Sequence, residues 1–218
     1  MQKIALITGS ESFGKYVINP AKWLALAAEG KTIAGHKIVS LVFPTTTLLP
    51  NGVENPGTTI VNTAIKIKAN VIISFGLASE AKGFRIERSG YNWIENIPYC
   101  QPYENFHSLD TSRPAKEQIQ IDMSQWNMTL LKELFEKNKL PLDPQISDDP
   151  GRFSCNSWIY RTLVALKKVN VKTPYLFIHS ACTEEAVELI PDFPRNKKIV
   201  IPKKYLLKAL EILLQSYV

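Results

Sequence analysis

The run Val71-Ile72-Ile73-Ser74-Phe75-Gly76 indicates the fold class of this 218-residue chain. An apolar stretch that ends at a glycine is typical of a short strand buried within a sheet. Comparable apolar runs occur at residues 3–8, 37–43 and 174–179. Several buried strands of this kind predict a central sheet whose faces are covered by other elements.

Helical segments separate these strands. Asn19-Pro20 predicts a helix start, because asparagine caps a first turn and proline fits the first helical position, and Gly30 predicts its end. Further helices are predicted after Asn55-Pro56, over residues 124–138, from Cys155 onwards, over residues 183–190 and after Pro202. The intervening residues 86–123 are expected to contain a loop or hairpin.

This alternation of strands and helices predicts an α/β fold, a three-layer α/β/α sandwich with a mixed, mainly parallel central sheet. The length suits a single domain over residues 1–218.

The composition excludes several classes of function. Hydrophobic residues make up 45% and charged residues 21% of the chain, which is ordinary for a globular protein. No apolar run approaches the length of a membrane span, and the short apolar start lacks the features of a secretion signal. The formal charge of +6 comes from scattered basic residues rather than from a basic run interleaved with aromatics. The sequence therefore predicts that the protein binds neither membranes nor nucleic acid.

The cysteine content points to a reducing compartment. The three cysteines cannot all pair with one another, and their spacing is not that of metal ligands: Cys100, Cys155 and Cys182. Reduced thiols of this kind suit the cytoplasm, which is the predicted location. No metal or cofactor is expected.

Cys155 is the candidate nucleophile. It lies in Ser147-Asp148-Asp149-Pro150-Gly151-Arg152-Phe153-Ser154-Cys155-Asn156, where a glycine turn leads into a predicted helix. A helix N-terminus carries a partial positive charge and unpaired N–H groups, which favour a thiolate and can hold an oxyanion.

Two further side chains are candidate partners of this thiol. His179 ends the strand at 174–179, and pockets in open α/β sheets lie at the carboxyl ends of strands, although such a histidine is more often structural. Glu87 lies between Arg85 and Arg88, which is typical of a surface ion pair. A carboxylate can instead orient an imidazole and stabilise its charged form. Together the cysteine, histidine and carboxylate fit nucleophilic amide hydrolysis.

The first loop, Gly9 to Tyr16, nearly matches a phosphate-binding loop. Tyr16 stands where a hydroxyl residue would hold magnesium, and Glu11 places a negative charge within the loop. The predicted helix start at Asn19-Pro20 also lies several residues beyond the point where the helix of a phosphate-binding loop would begin. These departures favour a turn that lines another pocket over a nucleotide site.

Four motifs in order resemble the pyroglutamyl peptidase I (pyrrolidone-carboxylate peptidase) family of cysteine peptidases. They are Thr8-Gly9 through Phe13-Gly14 with Asn19-Pro20; Gly76-Leu77-Ala78 with Ile86-Glu87-Arg88 and Asn92; Ser147 to Asn156; and Phe177-Ile178-His179. The resemblance runs from the first strand through His179. It implies an enzyme that removes an N-terminal pyroglutamate from peptides through a thioester, needs no cofactor, and forms a homo-oligomer.

The resemblance also implies a role for each site residue. Cys155 would be the nucleophile, His179 the general base and then acid, and Glu87 the orienting carboxylate. Pocket roles are implied for Phe13, Thr45, Leu77, Phe153 and Ser154. Pyroglutamate is an uncharged lactam, which an aromatic wall and a few backbone hydrogen bonds can select.

Three positions in the expected pocket depart from the family pattern. The first-loop phenylalanine is Ser10, and the arginine of the GLAPGR motif aligns with Ala81. Asn96 takes the place of an arginine that helps to bind the oxyanion; it can donate a hydrogen bond, and we retain it as a predicted substrate-binding residue. These departures leave a second hypothesis open, namely a protein of the same fold that binds its ligand without turnover.

Overall fold

The structure is a computed structural model, and it describes residues 2–45, 55–95 and 106–218. In these ranges the helices are α1 (Pro20–Ala28), α2 (Pro56–Ile67), α3 (Met128–Lys137), α4 (Ser154–Lys168), α5 (Glu184–Glu188) and α6 (Lys204–Gln215). The longer strands are β1 (Lys3–Ser10), β3 (His36–Phe43), β4 (Val71–Leu77), β5 (Phe84–Glu87) and β10 (Tyr175–Ser180). The short strands are β2 (Thr32–Ile33), β6 (Ser89–Tyr91), β7 (Ile94–Glu95), β8 (Phe106–His107), β9 (Gln118–Gln120), β11 (Cys182–Thr183) and β12 (Val200–Ile201).

The central sheet has the strand order β2-β3-β1-β4-β10-β5. Its inner pairs, β3 with β1, β1 with β4 and β4 with β10, are parallel. The strands at the two edges, β2 and β5, run antiparallel to their neighbours. The predicted mixed, mainly parallel sheet is confirmed.

Helices cover both faces of this sheet. From β1 the chain passes through α1 to β3 on one side, and from β3 it passes through α2 to β4 on the other side of β1. Because such crossovers are right-handed, α1 and α2 lie on opposite faces. α6 packs against α1 and α3, whereas α4 packs against α2. The predicted three-layer α/β/α architecture is therefore confirmed.

The inner strands are buried as the apolar runs predict. Every residue of β4 and of β10 is buried. The predicted end of β4 at Gly76 is wrong by one residue, because the strand continues to Leu77 and pairs there with Ser180. Gly76 is thus part of the ladder, and side chains of neighbouring elements occupy the space that its missing Cβ leaves.

Two predicted helix boundaries need correction. The helix predicted over 124–138 begins only at Met128, because the Asn127 side chain caps it by accepting a hydrogen bond from the Leu130 amide at 3.0 Å. Trp126 is buried before the helix begins, where its ring contacts that of Tyr217. The helix predicted over 183–190 is confined to Glu184–Glu188.

The region predicted as a loop or hairpin contains more regular structure than expected. β6 pairs with β9, and β7 pairs with β8, both antiparallel as in hairpins. The first residues of the region belong instead to β5, an edge strand of the central sheet. β5 is not an apolar run, because it contains the charged residues Arg85 and Glu87, and it was therefore not predicted as a strand. This strand carries Glu87 to the side of β10.

Candidate active site

The candidate site lies at the carboxyl edge of the parallel strands. β1, β4 and β10 end there, at Ser10, Leu77 and Ser180. A cavity of about 590 Å³ opens at this edge and is lined by both Cys155 and His179. The topology therefore brings together two residues that lie far apart in the sequence.

Cys155 is the second residue of α4. Phe153, in extended conformation, is the residue before the helix, and Gly151 adopts a positive φ of 82° in the turn that precedes it. The amides of a first helical turn have no carbonyl within the helix to bind, and they add to the positive end of the helix dipole. The cysteine is partly exposed and lines the cavity. The positive end of the helix dipole is a favourable environment for a thiolate.

The loop before α4 is tied to the segment after β5. Asp148 forms an ion pair with Arg88 and accepts a 2.6 Å hydrogen bond from the Ser89 hydroxyl. The Tyr91 hydroxyl donates to the Asp148 carbonyl at 2.9 Å. Within α4, the buried Asn156 accepts from the Tyr91 amide at 2.7 Å. These contacts, which sequence analysis did not assign, restrain the start of the helix that carries Cys155.

His179 and Glu87 form a buried hydrogen-bonded pair. In the antiparallel register of β10 with β5, Phe177 is opposite Glu87 and His179 is opposite Arg85. His179 Nδ1 lies 2.6 Å from Glu87 Oε1, and the two side chains are 3% and 0% exposed. The carboxylate therefore fixes Nδ1 as the donor and leaves Nε2 for chemistry. The alternative of a surface ion pair for Glu87 does not agree with this burial.

Arg85 is the part of this arrangement that sequence analysis missed. Its Nε donates to Glu87 Oε1 at 2.6 Å, and its side chain, 20% exposed, lines the cavity. Residues two apart on a strand point to the same face, so the pattern Arg85-Ile86-Glu87 could have indicated this pairing.

Gly76 shows how close the thiol and the imidazole are. A Cβ atom at this position would lie 3.0 Å from both Cys155 Sγ and His179 Cδ2, and 2.9 Å from Phe177 Cζ. The Cys155 thiol and the His179 imidazole thus occupy adjoining space beside β4. A glycine is required there because any side chain would displace them.

The charge of the imidazole follows from these neighbours. Burial alone would lower the pKa of His179, but the negative charge and hydrogen bonding of Cys155 and of Glu87 raise it to about 9. At neutral pH the histidine is therefore an imidazolium. A thiol beside a protonated imidazole can supply a nucleophile and a proton donor together.

Five of the six predicted substrate-binding residues line the cavity: Phe13, Thr45, Leu77, Phe153 and Ser154. Phe153 is 44% exposed towards it, and the Phe13 ring lies 5.2 Å from that of Tyr16. The Thr45 hydroxyl donates to the Glu11 carbonyl at 2.7 Å. The sixth residue, Asn96, lies outside the described residues.

Of the positions that depart from the family pattern, Ser10 lines the cavity and Ala81 is buried. Ser10 Oγ accepts a hydrogen bond from Asn19 Nδ2 at 2.9 Å, which leaves the hydroxyl proton for another acceptor. The charged part of the wall, which sequence analysis did not assign, includes Lys15, Glu80 and Lys198. Lys198 Nζ donates to Glu80 at 2.7 Å.

The first loop does not have the course of a phosphate-binding loop. β1 ends at Ser10, and α1 begins only at Pro20. Between them Phe13 and Tyr16 form a short bridge, and Glu11 pairs with Lys22 at 2.5 Å. The loop forms part of the cavity wall, as the favoured interpretation of its sequence predicts.

Cys182 is separate from this chemistry. It is fully buried beside Leu77 and Val187, and burial raises the pKa of its thiol to about 11. Across the described ranges, no group of three or more histidine, cysteine or acidic side chains is arranged to hold a metal ion. None of the helices in that part of the chain is long and apolar enough to cross a membrane.

A helix-terminal cysteine beside a buried histidine–carboxylate pair, at the carboxyl edge of an α/β sheet, is typical of a thiol hydrolase. The family model for pyroglutamyl peptidase matches residues 3–196. The chain belongs to the pyroglutamyl peptidase family. It is a hydrolase of the pyroglutamyl peptidase I type, and the alternative of a protein that only binds its ligand is not favoured.

Curated relatives agree with this assignment over nearly the whole chain. The pyrrolidone-carboxylate peptidase of Brachyspira hyodysenteriae is 28% identical over 216 residues, which cover 97% of each chain. That of Bacillus cereus strain B4264 is 27% identical over 203 residues, 92% of this chain and 88% of the relative.

Solved structures show the same fold. Pyroglutamyl peptidase I from Bacillus amyloliquefaciens superposes with a TM-score of 0.79 at 20% identity and covers 100% of this chain and 95% of its own. Pyrrolidone carboxyl peptidase from Thermococcus litoralis also gives 0.79, at 23% identity, with coverages of 99% and 93%.

Proposed function

We propose that this protein is a cysteine exopeptidase that hydrolyses the amide bond after an N-terminal pyroglutamate, with Cys155, His179 and Glu87 as its catalytic residues. The observation that carries the proposal is the juxtaposition of Cys155 Sγ and His179 Cδ2 beside Gly76, with Glu87 bound to the other side of the imidazole. The matching family and relatives supply the substrate class.

In the first half-reaction, the thiolate of Cys155 attacks the carbonyl carbon of the pyroglutamyl residue. A C–S bond forms, and the negative charge on the carbonyl oxygen is stabilised by amides of the first turn of α4. The His179 imidazolium then gives its proton to the departing amine nitrogen as the C–N bond breaks. The shortened peptide leaves, and the pyroglutamyl group remains on Cys155 as a thioester.

In the second half-reaction, neutral His179 takes a proton from water while the oxygen of that water attacks the thioester carbon. The C–S bond breaks, free pyroglutamate leaves, and the thiolate–imidazolium pair is restored. Glu87 holds the ring orientation in both halves and stabilises the imidazolium whenever it forms.

The wall of the cavity suits an uncharged lactam. The Phe13 and Phe153 rings offer apolar contact, and the Leu77 carbonyl and Ser154 can hydrogen-bond to the ring amide. A free N-terminal ammonium placed against these apolar rings would lose solvation, which disfavours such a peptide. Asn96 remains a predicted hydrogen-bond donor to the substrate.

We also propose a domain organisation, a cellular location and an oligomeric state for this protein. The family match over residues 3–196 favours one domain for the chain. Cys155 and Cys182 are both free thiols, which suits the cytoplasm. The homo-oligomer that the family resemblance implies is a proposal that sedimentation of the purified protein would test.

The enzyme proposal is tested with a fluorogenic pyroglutamyl amide and, in parallel, a glutamyl amide with a free amino group. The wild-type protein should release the fluorophore from the first only, and iodoacetamide should abolish release. Cys155→Ala should lose activity by at least roughly 10³-fold because no other nucleophile replaces the thiol.

Cys182→Ala is the matched control, since it removes a thiol that lies outside the cavity lining. It should retain activity, and circular dichroism should show that both variants are folded. Unchanged hydrolysis by folded Cys155→Ala would exclude the proposed nucleophile.

A further inference from the structure

Arg85 occupies a defined place in the sheet beside the reactive pair. It is directly opposite His179 in the antiparallel register of β5 with β10, so the two side chains project from the same face. Its side chain is 20% exposed and lines the cavity, whereas Glu87 is fully buried behind His179. Arg85 therefore stands between the buried carboxylate and the substrate cavity.

Arg85 and His179 share one carboxylate oxygen. Glu87 Oε1 accepts from Arg85 Nε at 2.6 Å and from His179 Nδ1 at 2.6 Å. Glu87 Oε2 has no hydrogen-bond partner among the described residues. A fully buried carboxylate with one imidazole as its only partner would be free to rotate; the guanidinium gives it a second hydrogen bond and an ion pair, which fix its orientation.

The guanidinium also lies close to the imidazole itself. Arg85 Nη2 is 3.4 Å from His179 Nδ1, and both side chains donate to Glu87. Two cations at this distance repel each other, so Arg85 opposes the stabilisation that Glu87 gives to the imidazolium.

We propose that Arg85 is a positioning residue of this site, which orients the Glu87 carboxylate and limits how strongly that carboxylate holds the proton of His179. This inference rests on the proposed hydrolytic function, because the role given to Arg85 is to assist the transfer of a proton from His179 during hydrolysis. An imidazolium that is held too firmly is a poor acid towards the departing amine. Arg85 keeps His179 able to release its proton while Glu87 keeps the ring in place.

A test of this proposal must separate the effect of Arg85 on His179 from the effects of the other charged groups nearby. Among the described residues, Cys155 from α4 and Glu87 and Arg85 from β5 are the ionisable groups that contact the imidazole or influence its pKa, and β4 presents Gly76. Lys15, Glu80 and Lys198 line the same cavity. Replacing Arg85 changes only one of these charges.

The test compares Arg85→Gln, which removes the charge, with Arg85→Lys, which keeps it. NMR titration of the His179 imidazole requires no substrate, and the pH profile of kcat/KM is measured beside it. In Arg85→Gln the pKa of His179 should rise by roughly one unit, because a like charge has been removed from beside it. The alkaline limb of the profile should move by the same amount, and kcat should fall about 10-fold with little change in KM.

Arg85→Lys should keep the pKa of His179 near the wild-type value but recover only part of kcat, because an ammonium cannot reproduce the planar contact with the carboxylate.

Arg113→Met is the control, since Arg113 pairs with Glu117 and does not line the cavity. In this variant the pKa of His179 and the rate of hydrolysis should equal those of the wild type. An unmoved His179 pKa in Arg85→Gln, or an equal rise in Arg85→Lys, would overturn the proposal. The titration measures the effect of Arg85 even if the protein hydrolyses no pyroglutamyl amide, so the two proposals fail separately.

Discussion

Gly76 and His179 lie directly opposite each other on the parallel strands β4 and β10. The absence of a side chain at Gly76 leaves the space in which Cys155 Sγ and the His179 ring come together, since a Cβ there would be 3.0 Å from each. Ordinary contacts of a Cβ atom are at 3.4–4 Å. The relative position of Cys155 and His179 thus depends on a residue that has no side chain.

Gly76→Ala should therefore impair catalysis more than stability. The added methyl group must displace the thiol, the imidazole or Phe177, and a misplacement of about 1 Å can cost about 10²-fold in rate. Steady-state kinetics on the pyroglutamyl amide measures this loss, and urea unfolding measures the accompanying change in free energy.

Gly30→Ala is the control for this substitution. Gly30 has a positive φ of 72° and no atom near its would-be Cβ, so alanine there strains the backbone away from the cavity. It should cost about 1 kcal/mol of unfolding free energy and leave kcat/KM unchanged. Equal losses of activity in the two variants would show that lower stability, and not the position of Cys155, limits the rate.

Activity should decline as the pH rises through about 9. The pKa of His179 lies at about 9 rather than its ordinary 6.5, because Cys155 and Glu87 outweigh the effect of burial. Below this pH the imidazolium can protonate the departing amine, and above it the ring is neutral. A profile of kcat/KM between pH 6 and pH 11 locates this limb; a limb near pH 6.5 would contradict the assignment of the proton donor.

Cys155→Ser should lower the pKa of His179. A serine hydroxyl cannot supply the charge interaction that a cysteine at this position has with the ring, and that interaction is the largest of the effects that raise the pKa of His179. NMR titration of the imidazole in the wild type and in the variant measures the shift. Cys182→Ser, which changes a thiol outside the cavity lining, should leave the titration of His179 where it is.

Phe153→Ala should weaken substrate binding. The ring is 44% exposed at the cavity, and covering it with substrate contributes roughly 1–2 kcal/mol, which corresponds to about a 10-fold rise in KM. Leu189→Ala, at a 52% exposed apolar side chain away from the cavity, should leave KM unaltered. A fall in kcat at constant KM would instead show that Phe153 acts through the helix start that it precedes.

Asp148→Asn should destabilise the protein in a pH-dependent manner. Arg88, and then Ser89, lower the pKa of Asp148 from 3.8 to about 2, so the folded state gains stability from this carboxylate above pH 3.8 and loses it as the pH falls through 2. The pair is partly exposed, at 43% and 39%, so screening by solvent keeps its contribution small. Urea unfolding at pH 7 and pH 2.5 should show the difference between variant and wild type shrinking; a constant difference would contradict the role of the charge.

Local sequence patterns were sufficient to predict most of the strands and helices. The apolar runs located β4 and β10, and the Asn-Pro pairs located the starts of α1 and α2, since burial on both faces and helix capping depend on neighbouring residues. β5 was not predicted as a strand, because Arg85 and Glu87 give its sequence the polarity of a loop. Its pairing with β10 joins residues some 90 positions apart, which no local pattern encodes.

The sequence by itself determined the layer order of the fold, the helix-terminal position of Cys155 and, through ordered motifs, the family and the candidate residues of its site. Only the tertiary structure decided how those residues meet. The antiparallel register of β5 with β10 places Glu87 on His179, and the missing side chain of Gly76 admits Cys155 to the same space. Arg85 enters the site for the same reason, because contact across a sheet depends on strand register and not on residue type.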